Sequence, residues 1–229
     1  MNHTLVKICG VTTPADALAA VDAGADLIGL NFHPPSPRAL TTERAAGIAA
    51  AVRERSREVQ LVGVFVALPP AAVDAVDREV GLDLLQFHGD QTPADLAPYG
   101  DRAIQVIRIP PQAPPSPAEI ERRFAACPDA WGFLFDVAHP TLAGGTGETF
   151  GWSLLAGVDR GSTGPLAGRP ILVAGGITPG NAGRALADSR ADGVDVASGV
   201  ESAPGEKDLQ LIERLIQEVR DGAFARPAG

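Results

Sequence analysis

The stretch "VKICGVTTPADALAAVDAGADLIGLNF", residues 6–32, holds one complete unit of the fold. It opens with a short β-branched run that ends at Cys9. A segment with helical spacing follows, with proline in its first turn and glycine at its end. That asymmetry marks a helix start and a helix stop. "DLIGLNF" (26–32) is then a second strand-like run. A strand, a helix and a strand in this order predict two parallel strands joined by a crossover helix.

The unit recurs. Strand-like runs stand at 5–9 ("LVKIC"), 26–32, 59–66 ("VQLVGVFV"), 82–88 ("LDLLQFH"), 103–109 ("AIQVIRI"), 131–137 ("WGFLFDV"), 170–176 ("PILVAGG") and 192–198 ("DGVDVAS"). Helical patterns follow in "PADALAAVDAG", "TTERAAGIAAAVRERS", "PPAAVDAVDREVG", "TPADLAPYG", "SPAEIERRFAAC", "TPGNAGRALADS" and "KDLQLIERLIQEVRDG". After the sixth strand the best helix is the short "SLLAGV". Eight such units predict a closed single-domain (β/α)8 TIM barrel over residues 1–229, with a frayed tail from about 222. The alternative is an open doubly wound sheet.

Composition sets the frame. The chain has 229 residues, 45% hydrophobic and 21% charged, with a formal net charge of −9. That suits one globular domain and argues against a general nucleic-acid surface, though not against an anionic substrate at a locally positive site. Cys9 and Cys127 form no CxxC pair, so a reducing, cytoplasmic setting is expected. No run approaches a membrane span, and the start lacks the regions of a signal peptide.

Strand parity orients the chemistry-bearing side chains. Val6 and Ile8 share one face of the first strand and suit the helix layer, which turns Lys7 and Cys9 inward. In "WGFLFDV", Leu134 and Asp136 share the inward face. Cys9 and Asp136 thus end two strands at the mouth of one barrel, where such folds build their sites, and a thiol and a carboxylate there make a base and an acid. Taken singly, a cysteine is also a small buried hydrophobe, and an aspartate at a strand end is also a cap. Lys7 either lines the barrel or lowers the thiol's pKa. His88 ends the fourth strand with Gln86 on the same face, more in keeping with satisfying polar groups than with direct catalysis.

"AGGI" after the seventh strand and "ASGVE" after the eighth offer unobstructed backbone amides. Gly175, Gly176, Ser198 and Gly199 are the candidate phosphate-binding residues, next to a short extra helix. "GGTG" (144–147), with Gly145, is no Walker motif because no lysine follows, and suits a lid or a backbone-binding loop. Arg38 in "PPSPRAL" is either a carboxylate-binding guanidinium or a solvated surface arginine. His3, His33 and His139 stand in no metal-ligand spacing, so no metal is expected. There is no nucleophile elbow.

"KICGVT", "PPSPR", "LLQFHGD", "LFD…GGTG", "VAGGITPGN" and "GVDVASGVE…PGEKD" resemble, in order, the motifs of the phosphoribosylanthranilate isomerase family. They span roughly residues 5–215. The resemblance implies a (β/α)8 barrel, no cofactor, and a small phosphosugar substrate. It implies no nucleic-acid or membrane partner, and a monomer or homodimer. It implies an Amadori rearrangement of N-(5-phosphoribosyl)anthranilate in tryptophan biosynthesis, with Cys9 as general base and Asp136 as general acid. Arg38 matches the arginine near the anthranilate carboxylate, and Asp195 matches an organiser of the phosphate-binding loops. One departure is Gly151, where the family has aspartate between Phe and Trp; it bears on capping after the sixth strand. A histidine-pathway isomerase would use two aspartates, against which Cys9 counts. A non-catalytic phosphate-binding barrel would not need both Cys9 and Asp136.

Overall fold

Eight parallel strands close on themselves in chain order. They are β1 (Leu5–Cys9), β2 (Leu27–Asn31), β3 (Gln60–Val66), β4 (Leu84–His88), β5 (Ala103–Ile109), β6 (Gly132–Val137), β7 (Ile171–Val173) and β8 (Gly193–Val196). The structure, a computed structural model, describes residues 3–89, 91–137, 151–159 and 167–221. Closure is made by β8 pairing with β1, which sets Lys7 beside Asp195. The open sheet is thereby ruled out and the (β/α)8 barrel stands.

The alternation read from the sequence is the alternation of the two cores. Leu27, Val62, Leu84, Ile104, Val106, Leu134, Leu172 and Ala174 fill the barrel interior, with Leu5 packed against them. Val6, Ile8, Phe133 and Phe135 belong to the second core, between strands and helices. Phe124 of the surrounding helix layer packs against Phe133 with ring planes tilted by 56° and centroids 4.3 Å apart. Residues of one parity point in and those of the other point out, because successive Cβ atoms in a strand face opposite sides.

Helices α1 (Pro14–Ala23), α2 (Thr42–Arg55), α3 (Pro70–Val80), α4 (Pro93–Leu96), α5 (Pro117–Ala126), α6 (Ala182–Ser189) and α7 (Leu209–Asp221) wrap the barrel. Their starts follow local chemistry. Thr13, Thr41 and Ser116 each accept a hydrogen bond from the backbone N–H three residues on. Gly24 ends α1 in the left-handed region at φ 102°. A residue without Cβ adopts that conformation at little cost.

Two helical readings shorten, and a third becomes a 3₁₀ turn of the same length. The fourth gives only α4, followed by a 3₁₀ segment over Ala97–Arg102. Pro98 explains this: it has no N–H to donate, and its ring clashes with the preceding turn of an α-helix. After β6 the reading "SLLAGV" becomes a 3₁₀ turn, Trp152–Gly157. Gly151 precedes it and offers no side-chain cap, so the departure noted in the sequence falls at that turn's N-cap. Helix α6 begins at Ala182, because Thr178 to Asn181 form a turn in which Asn181 Oδ1 accepts from the Thr178 N–H at 2.8 Å.

A two-stranded antiparallel hairpin, β9 (Glu201–Ala203) and β10 (Glu206–Lys207), follows β8 and was not read from the sequence. No described helix is long and apolar enough to cross a membrane. The tail from about 222, His139 and the glycine-rich stretch with Gly145 lie outside the described residues.

Candidate active site

Cys9 is the last residue of β1 and is buried, with 8% of its surface exposed. Two residues earlier on the same inward face, Lys7 is fully buried. Its ammonium donates to Asp195 Oδ1 at 2.8 Å and stands beside the Cys9 thiol, near enough to influence it. Gly29 makes this approach possible. A Cβ there would lie 2.8 Å from Cys9 Sγ and 3.0 Å from Lys7 Nζ.

The electrostatics of this triad oppose one another. Burial pushes the Cys9 thiol up and the Asp195 carboxylate adds to it, while Lys7 and, more weakly, Lys207 pull it down; the net is above the ordinary thiol range. Burial pulls the Lys7 ammonium down, but Asp195 and Cys9 more than reverse this, and its pKa ends above the usual lysine value. The resting pair is therefore a charged lysine under a neutral thiol. Asp195 spends its carboxylate inside the barrel. An anion offers phosphate no donor, so any part it has in the phosphate loops is indirect.

Asp136 lies three strands around the ring, on β6, and is 8% exposed. Both its oxygens are held. Oδ2 is 3.1 Å from His88 Nε2, and Oδ1 accepts from the Val137 N–H at 2.8 Å. His88 is thus brought to the proposed acid. Beneath it, Gln86 is 2% exposed and its Oε1 accepts no hydrogen bond among the described residues. Arg108 stands in register with Asp136 on the neighbouring β5. Its parity is that of the inward-facing Val106.

Arg38 is not a solvated surface arginine. Its side chain is 13% exposed and meets Glu201 bidentately, Nε to Oε1 and Nη2 to Oε2, both at 2.7 Å. Its stem crosses Gly10, where a Cβ would lie 2.3 Å from Arg38 Cδ. Glu201 Oε1 also accepts from Lys207 Nζ at 2.9 Å. Lys207 Nζ donates in addition to the Ala197 carbonyl at 2.9 Å. Two cations and one carboxylate leave this cluster, beside Cys9, with net positive charge.

The loops after β7 and β8 are packed backbone to backbone. Gly175 and Gly176 sit at φ 82° and 66°. Asn181 Nδ2 donates to the Gly176 carbonyl at 2.8 Å and fixes the first loop. Ser198 and Gly199 open a 3₁₀ turn, Ser198–Val200, which is the short extra helix expected there. A Cβ on Gly199 would come within 1.8 Å of the Ile177 carbonyl oxygen. The two loops touch only because residue 199 is glycine. Among the described residues no group of three or more His, Cys, Asp or Glu is placed to hold a metal ion.

The profile of the N-(5'-phosphoribosyl)anthranilate isomerase family matches residues 6–218. The chain belongs to the phosphoribosylanthranilate isomerase family. The isomerase of Thiobacillus denitrificans is 44% identical over 215 residues, 94% of this chain and 97% of that one. The crystal structure of phosphoribosylanthranilate isomerase from Thermotoga maritima superposes with TM-score 0.80 at 32% identity, covering 95% of this chain and 99% of that one. Another isomerase structure, in complex with reduced 1-(o-carboxyphenylamino)-1-deoxyribulose 5-phosphate, gives TM-score 0.76 at 30% identity, covering 95% and 99%. This chain is accordingly a phosphoribosylanthranilate isomerase of tryptophan biosynthesis.

Strand parity places Cys9, Asp136 and His88 at or near the C-terminal ends of their strands with Lys7 below Cys9, and the structure has them there. Sequence reasoning missed Glu201, Lys207, Asn181 and Arg108 as members of the site. Arg108 was available from strand alternation in "AIQVIRI". Glu201 and Lys207 flank "SAPGE", a turn sequence between two charged residues, which is a weak hairpin signal.

Proposed function

We propose that this isomerase converts N-(5-phosphoribosyl)anthranilate to 1-(2-carboxyphenylamino)-1-deoxyribulose 5-phosphate by an Amadori rearrangement, with Asp136 as general acid and Cys9 as general base. The observation that carries the reading is that both groups lie on the inner face at the C-terminal ends of their strands, three strands apart around one mouth.

The steps balance within the substrate. Asp136 gives a proton to the ribose ring oxygen as the ring C–O bond breaks and the anthranilate nitrogen lone pair forms the C1–N double bond. Cys9, as thiolate, removes the proton at C2, and those electrons form the C1–C2 double bond of an enolamine. Tautomerisation moves the enol proton to C1 and gives the amino-ketone. Acid and base must act from two sides of one bound substrate, and holding both in place converts encounters into an intramolecular reaction.

His88 and the Val137 amide orient the Asp136 carboxyl. Lys7 gives the nascent thiolate a neighbouring cation. Gly175, Gly176, Ser198 and Gly199 present backbone N–H groups to the phosphate, and Arg38 receives the anthranilate carboxylate. The protein acts as one domain, as a monomer or homodimer, in the cytoplasm. The deciding experiment is fluorescence-monitored turnover of the anthranilate substrate by the wild type, Cys9→Ser and Asp136→Asn. Near-normal turnover in either variant would remove that residue from the chemistry.

A further inference from the structure

Glu201 has no part in the proton transfers, yet it is one of the most constrained carboxylates of the mouth. Its side chain is only 4% exposed and sits between two cations, Arg38 and Lys207. Burying a carboxylate there is tolerable only because both partners hydrogen-bond it. Arg38 and Lys207 together hold it below the ordinary glutamate range despite burial, which pushes the other way.

The hairpin that carries Glu201 is built as a bracket for Arg38. Lys207 is its registered partner across β9 and β10. Gly205, at the tip, accepts a hydrogen bond from Thr12 Oγ1 at 2.7 Å. A Cβ on Gly205 would lie 3.0 Å from the Pro37 carbonyl oxygen, so the tip is seated on the loop that holds Arg38. Three connections are tied together at this point: after β1, after β2 and after β8.

A guanidinium has more than one bidentate edge. Glu201 takes the Nε and Nη2 edge. Nη1 makes no hydrogen bond among the described residues, and with the second hydrogen of Nη2 it forms another fork matched to a carboxylate. We propose that Glu201 is a positioning residue for substrate recognition: by gripping one edge of Arg38 it fixes the plane of the guanidinium and presents the other edge to the aromatic carboxylate of the substrate. This rests on the reading of Arg38 as the carboxylate-binding residue.

The test compares two inhibitors, reduced 1-(o-carboxyphenylamino)-1-deoxyribulose 5-phosphate and its phenylamino counterpart without the carboxylate. Glu201→Gln sets an amide N–H₂ against Arg38 donors and should weaken the carboxylate-bearing inhibitor about tenfold, the scale of one misplaced charge-assisted hydrogen bond. The carboxylate-free inhibitor should change less than about twofold, and KM for the substrate should rise with kcat nearly constant, as for a remote binding contact. Glu201→Asp keeps the charge and should lose about threefold. In Arg38→Met the further change Glu201→Gln should cost nothing for the carboxylate, because the two act as a unit.

Equal weakening of both inhibitors by Glu201→Gln and Glu201→Asp would show a structural pin only and overturn the proposal. So would a fall in kcat at constant KM. If Arg38→Met leaves the carboxylate-bearing inhibitor's affinity unchanged, the assignment of Arg38 itself fails; if Arg38→Met weakens it and neither Glu201 variant does, only the role of Glu201 fails.

Discussion

The Lys7 ammonium and the Asp195 carboxylate are 188 residues apart in the chain and 2.8 Å apart in the barrel. They stand side by side in the β1–β8 register that closes the ring, with the lysine wholly buried. The pair therefore does two things. It joins the first strand to the last, and it holds a cation under the Cys9 sulfur.

Removing one partner leaves the other charge buried and unpaired. Lys7→Met should cost about 3–5 kcal/mol, while replacing both partners by apolar residues should recover most of that loss. For a chain of this size each kcal/mol moves Tm by about 2–4 °C, so the single variant should melt roughly 10 °C lower. Thermal unfolding of the two variants checks this. A double variant no more stable than the single one would speak against the ion pair as the cause.

The acid and base assignments are tested on rate with the fold held constant. Cys9→Ser and Asp136→Asn should each lower kcat by about 10²–10⁴, the usual worth of general acid–base catalysis. Both replacements preserve size, so Tm should stay within a few degrees and inorganic phosphate should still bind. A large loss of Tm alongside the loss of rate would point to structure instead of chemistry.

The thiol sets a pH limb. Burial and Asp195 hold Cys9 above the ordinary thiol range in the resting protein, against Lys7 and Lys207. The thiolate fraction then grows about tenfold per pH unit through neutrality, and kcat/KM on its base-dependent limb should rise with that slope beyond the ordinary thiol value of about 8.5. Alkylation of Cys9 by iodoacetamide should follow the same curve. A plateau of both below pH 7 would contradict it. The stability sign is also fixed: a raised folded-state pKa means this contribution is complete below the unfolded thiol's pKa. It is lost as pH rises through the folded one.

The phosphate loops depend on one missing side chain. Gly199→Ala would set a Cβ 1.8 Å from the Ile177 carbonyl oxygen, and that neighbour is backbone, so one loop must move. KM for the phosphorylated substrate should rise at least tenfold, with a stability cost of about 1–3 kcal/mol. Gly47→Ala is the control. Gly47 is exposed on α2 with nothing within 4 Å of a Cβ, and alanine there should stabilise by about 0.5–1 kcal/mol. Steady-state kinetics and thermal unfolding of both variants separate the two cases.

Much of the fold was legible because its signals are local. Proline and glycine bracket the segment from Pro14 to Gly24, and the alternation of Lys7 and Cys9 with Val6 and Ile8 is a property of one strand. The fourth helix was overread because a proline near its start and a glycine at its end mark a helix, while Pro98 stands in its path. The helix reading at α6 started too early, because Thr178 to Asn181 has the proline, glycine and asparagine of a turn and is held by the asparagine side chain.

The sequence by itself determined that eight strand and helix units form a barrel, that Cys9 and Asp136 point inward at its mouth, and that two glycine-rich loops follow the last two strands. Those are consequences of side-chain period, turn chemistry and strand parity, each set by residues a few positions apart. Only the tertiary structure decided what each charge meets: Lys7 with Asp195, His88 with Asp136, and Arg38 with Glu201. Ion pairing is set by distance in space, and closure of the ring brings together residues that no local pattern relates. The opening cysteine shows the division. Its strand fixed which way it points, while the buried cation and carboxylate around it fix how readily it gives up its proton.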